Sequence, residues 1–226
     1  MSAIPASAER PVLGSIALKA TMALTGFILF GFVFVHMVGN LQLYSGPEKI
    51  NHYAAFLKGT AGVLWGFRAV LLGAVSLHAF AAFVLWRRNL AARPVGYAHQ
   101  DFQAAPITSR TMYWTGPILG IFIVYHLLHF TVGSVHPAFS HTDVYSNVVI
   151  AFSNPAVSIF YILAMVALGF HLFHGAVSLF QTLGLRTPKW EKPLKAVLMV
   201  VSTVIVVVDI SFPIAVLTGL VRLVKS

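Results

Sequence analysis

The chain has 226 residues, of which 58% are hydrophobic and only 9% are charged, against about 25% charged in an ordinary soluble domain. That composition excludes a soluble domain of this length and points to a membrane class. There is no cysteine, which excludes thiolate iron–sulfur ligation, covalent haem attachment and disulfides; the net charge of +9 fits Lys and Arg gathered in cytoplasmic loops better than nucleic-acid binding.

A helix needs about 20 apolar residues to cross a hydrocarbon core of about 30 Å, and five segments qualify. The first, roughly 18–42, follows Lys19 with an apolar run too long for the core of a signal peptide, and no small-residue cleavage site follows it. It is expected to be a retained helix. The second is roughly 63–86, the third roughly 112–134, the fourth roughly 156–182 and the fifth roughly 195–222. Between them SGPEKIN, RRNLAARPVG, SVHPAFSHTD and LRTPKWEKP read as loops. The expectation is an all-α integral membrane bundle of five transmembrane helices forming one domain over residues 1–226.

Orientation follows from basic residues. With the N-terminus cytoplasmic, the inner side holds Arg10, Lys19, Arg87, Arg88, Arg93, Arg110, Arg186, Lys189, Lys192 and Lys195, and the outer side holds Lys49, Lys58, Arg68, Arg222 and Lys225. The excess on the inner side favours N-terminus in and C-terminus out.

Six histidines fall within the expected helices: His36, His78, His126, His129, His171 and His174. Ionisable groups at membrane depth are costly and point to function. At 1.5 Å per residue, His36 lies about 27 Å and His126 about 20 Å from the inner ends of their helices, while His78 and His171 lie about 21–22 Å from the outer ends of theirs. The four therefore sort into an outer pair and an inner pair, each drawn from alternate helices. Two imidazoles per level, with no carboxylate or thiolate beside them, suit a six-coordinate haem between helices one to four better than zinc or copper. Such a haem moves electrons and has no open position for oxygen.

Two helices offer a choice of ligand, His126 or His129 and His171 or His174. Thr25-Gly26 precede His36 and Thr115-Gly116 precede His126, each Thr eleven residues before its His. That repeat favours His126 and relates the first two helices to the third and fourth. Ala82 and Gly175 stand four residues after His78 and His171, where a small side chain leaves room for a macrocycle, which favours His171.

With TGFILFGFVFVH at 25–36, LHAF at 77–80, WTGPILGIFIVYH at 114–126 and FHLFHGAVSLFQTLG at 170–184, the chain resembles the five-helix, di-haem cytochrome b subunit of bacterial succinate dehydrogenases and fumarate reductases. The resemblance implies ligation of an outer haem b by His36 and His126 and of an inner haem b by His78 and His171. In some members the histidine of a His-Gly pair is the ligand, which keeps His174 as a fallback, as His129 is on the third helix; the spacing to Leu183-Gly184 prefers His171. Thr25, Gly26, Arg68, Thr115, Gly116, His174 and Gly175 are candidate haem contacts. Lys19, Thr25 and Trp86 are candidates for the site of a quinone, menaquinone or ubiquinone. The resemblance further implies a flavoprotein subunit with FAD and an iron–sulfur subunit docked on the cytoplasmic face of a bacterial inner membrane. Some fumarate reductases of this type have a membrane glutamate two residues before the fourth-helix ligand, where this chain has Gly169. Asp209 on the fifth helix matches nothing in the family pattern.

Competing readings are a cytochrome b subunit of a hydrogenase or formate dehydrogenase type, a proton-relay transporter, and an anchor without haem. The second lacks broken helices and a midplane set of acids. The third leaves a histidine at every expected ligand position unexplained.

Overall fold

A computed structural model describes residues 14–92 and 107–223, with the side chains of 107–110 excepted. Arg10, Arg93 and Lys225, and the side chain of Arg110, lie outside that description. Among the described residues there are seven α-helices and no strand: α1 (Ser15–Asn40), α2 (Pro47–Gly59), α3 (Ala61–Ala91), α4 (Ile107–Leu127), α5 (Val144–Phe152), α6 (Pro155–Thr182) and α7 (Glu191–Leu217). Five of them, α1, α3, α4, α6 and α7, are long and apolar enough to cross a membrane. They are the five segments expected from sequence.

The difference lies in the connections. The stretches after the first and third segments hold two short helices, α2 and α5, where loops were expected. Each has a start signal written in the sequence. Pro47 opens α2 with its ring at the first helical position, and the Asp143 side chain accepts from Ser146 N at 3.0 Å to open α5. Their mutual contact explains why such short helices persist: Asn51 Nδ2 donates to Asp143 Oδ1 at 2.9 Å, and Tyr145 N donates to Asn51 Oδ1 at 3.0 Å. The third segment also differs. Its α-helix stops at Leu127 and a π turn, Leu128–Val132, continues to Gly133, whose φ of 84° suits a residue without Cβ.

We call the side on which α1 begins the near face and the other the far face. α1 packs along α3 and α6, and α6 along α4 and α7. At Gly169 α6 lies tight against α7, since a Cβ there would stand 2.8 Å from Val206 Cγ2. The main core, including Phe122, Tyr145, Val149, Phe152, Tyr161, Met165, Phe212 and Val216, fills the far half under α2 and α5. A smaller cluster of Met37, Leu172 and Ile205 joins α1, α6 and α7. Large apolar side chains such as Leu24, Phe27, Trp65, Leu72 and Ile121 point outward, which in a membrane is the lipid-facing side of each helix.

Candidate functional site

The bundle brings four of the six membrane histidines together in two pairs. His78 on α3 faces His171 on α6 nearer the near face, with ring centres 6.2 Å apart. His36 on α1 faces His126 on α4 nearer the far face, with ring centres 5.9 Å apart. Neither α3–α6 nor α1–α4 is one of the closely packed helix pairs, so each histidine reaches across a wider interval than the packed neighbours leave.

That spacing fits a metal between the rings. An imidazole nitrogen binds a transition metal at about 2 Å and its ring centre lies roughly 1 Å further back, so two imidazoles across one metal stand roughly 6 Å apart. Among the described residues no three or more His, Cys, Asp or Glu side chains gather as a metal site. A metal held by two imidazoles would need its remaining ligands from a cofactor or solvent.

Each near ring is held from behind. Thr25 Oγ1 lies 3.1 Å from His78 Nδ1, and Thr115 Oγ1 lies 3.4 Å from His171 Nδ1; both threonines are buried. The His78 ring lies beside Gly26, where a Cβ would come into ordinary contact with His78 Cε1 at 3.4 Å. Gly116 and Gly175 have no neighbour within 4 Å of where a Cβ would stand. The far rings are framed by aromatics. Phe32 stacks on His36 at 5.3 Å, Phe122 lies 5.7 Å from His126, and Tyr161 OH is 3.5 Å from His126 Nδ1.

The two fallback histidines point elsewhere. His129 is almost wholly buried, with its Nδ1 3.0 Å from Tyr161 OH and its ring 5.1 Å from that of His136. Together with Tyr125 and His136 it lines a far-face cavity of about 410 Å³. His174 Nε2 lies 3.3 Å from Ser178 Oγ on its own helix, while His171 is the ring that faces His78. Sequence reading missed Tyr161 and His136. Tyr161 is visible as a polar group inside an apolar span, but no spacing rule names its partners.

Of the remaining candidates, Lys19 is exposed on α1 and Trp86 packs beside Phe83 on α3. A 3.5 Å contact from Arg88 to Ser15 ties the near ends of those two helices. Thr25 sits deeper, about 9 Å along the axis from Lys19. Arg68 places its guanidinium 4.9 Å over the Trp65 ring. It makes no ion pair with Asp209: the ion pairs among the described residues join Glu191 to Arg186 and to Lys195.

The model of the succinate dehydrogenase/fumarate reductase transmembrane subunit family matches residues 92–208, just over half of the chain. The chain belongs to that family. No curated protein and no solved structure matches it. As a succinate dehydrogenase/fumarate reductase transmembrane subunit it is a multi-pass membrane component of an enzyme complex, and membership implies association with the catalytic subunits of that complex. The matched stretch holds His126 and His171, one member of each facing pair; His36 and His78 lie before it and are joined to them by the fold.

Proposed function

We propose that this transmembrane subunit is a di-haem cytochrome b anchor of a succinate:quinone oxidoreductase, passing electrons between an iron–sulfur subunit and a membrane quinone. The observation that carries the reading is the two facing histidine pairs, at 5.9 and 6.2 Å, on alternate helices and at two depths. His78 and His171 would hold the near haem b, and His36 and His126 the far one. Haem b between two imidazoles supplies a one-electron centre with no open coordination position.

The chain's own groups position the rings. Thr25 and Thr115 contact the near imidazoles, and Phe32, Phe122 and Tyr161 frame the far ones. On this reading the near face is cytoplasmic, in a bacterial inner membrane. Its basic residues, among them Lys19, Arg87, Arg88, Lys189 and Lys192, meet the iron–sulfur subunit and the FAD-bearing flavoprotein. The near ends of α1 and α3, with Lys19, Thr25 and Trp86, offer the quinone a cationic donor and an amphipathic ring beside the near pair. The far-face cavity lined by Tyr125, His129 and His136 is a second position of suitable polarity for a quinone headgroup.

The test is a pyridine haemochrome assay with reduced-minus-oxidised spectra on the purified complex, for wild type and for His36→Ala, His78→Ala, His126→Ala and His171→Ala. About two haems b per chain, with one lost or turned high-spin in each variant, is the expected result. A wild type without haem overturns the reading. A nickel or molybdenum enzyme in place of bound FAD in the same preparation would transfer the subunit to another quinone-linked complex.

A further inference from the structure

The Thr-Gly…His repeat has an unexpected geometry. Thr25 and Thr115 share their helices with His36 and His126 of the far pair, yet each reaches a histidine of the near pair on another helix. Thr25 is the better defined of the two. Its Oγ1 lies 2.7 Å from the Thr21 carbonyl oxygen and 3.1 Å from His78 Nδ1. A hydroxyl has one proton to donate, and the carbonyl, which can only accept, takes it. At His78 the hydroxyl oxygen therefore accepts, and Nδ1–H donates. That fixes the tautomer and leaves Nε2 with the lone pair a metal requires. Among the described residues the far pair has no hydroxyl contact as short as that of Thr25: the Tyr161 hydroxyl lies 3.5 Å from His126 Nδ1 and is shared with His129 at 3.0 Å.

We propose that Thr25 is a positioning residue that sets the redox potential of the near centre through His78, with Thr115 acting in the same way on His171 across a longer contact. The inference rests on the di-haem reading. A hydrogen bond donated by Nδ1–H pushes electron density toward Nε2, strengthens the ligand and stabilises the oxidised iron, so it holds the potential down.

The experiment is a redox titration of the purified complex followed optically and by low-spin electron paramagnetic resonance, for wild type, Thr25→Val, Thr25→Ser and Thr115→Val. The near component is the one lost in His78→Ala. Thr25→Val is expected to raise the near potential and move its low-spin signal while the far component stays in place. Thr25→Ser, which keeps the hydroxyl, restores both, and Thr115→Val gives a smaller rise. A haem-replete Thr25→Val with an unmoved near potential overturns the inference and leaves the di-haem reading standing. So does a Thr25→Ser shift as large as that of Thr25→Val. Should Thr25→Val lose the near haem, retention in Thr25→Ser at the wild-type potential supports the hydroxyl's role, and loss in both overturns it. A wild type without haem overturns the di-haem reading and this inference together.

Discussion

Asp143 shows how a single side chain orders the far face. Burial works against its charge, but hydrogen bonds from Ser146 and Asn51 outweigh that and hold its carboxyl below the usual aspartate range. The folded-state value is depressed, so the cap's contribution is complete above the ordinary aspartate pKa of about 3.9 and is lost as pH falls through the lower folded value. Asp143→Ala should cost about 1 kcal/mol of local stability, read as faster hydrogen exchange in α5 at neutral pH, and Asp143→Asn should recover most of it. Equal protection in all three proteins would show that the cap contributes nothing. Tyr161 is the corresponding residue inside the bundle. Tyr161→Phe strips a buried His129 of its 3.0 Å partner, a loss of about 1–3 kcal/mol that a thermal melt of the complex will register.

At the scale of the helix, Gly169 is a packing residue. A Cβ there would stand 2.8 Å from Val206 Cγ2, so Gly169→Ala should lower the melting temperature by forcing α6 from α7, at a cost of about 1–3 kcal/mol. Val206→Ala in the same chain should return most of that. A Gly169→Ala protein as stable as wild type would show that the two helices part freely. The five spans were legible in the sequence because length and apolarity suffice to define them. The helices α2 and α5 were not, although Pro47 and Asp143 signal their starts. Thirteen and nine residues are too few to hold a helix alone, and the Asn51–Asp143 contact that joins them spans 92 positions.

For the whole molecule, helix rise alone sorted His36, His78, His126 and His171 by depth, and the fold sets them face to face. What sequence periodicity could not supply was contact between helices. The Thr-Gly repeat read as a feature of the far histidines, while Thr25 and Thr115 contact the near ones across a helix boundary. Orientation has a direct test, because a chain without cysteine accepts single-cysteine labels cleanly. In intact cells Thr142→Cys should react with a membrane-impermeant maleimide and Lys189→Cys should not; the reverse pattern would invert the proposed topology. The separation of the two levels carries an energetic consequence. Thr25 contacts the near pair and His36 belongs to the far one, eleven residues apart on α1, or about 16 Å along its axis, half of a core of about 30 Å. A full crossing of the membrane is worth about 2.3 kcal/mol per charge per 100 mV. On the proposed function, each electron passed between the levels therefore gains or loses roughly 1 kcal/mol per 100 mV, so the voltage across the membrane favours that transfer in one direction and opposes it in the other.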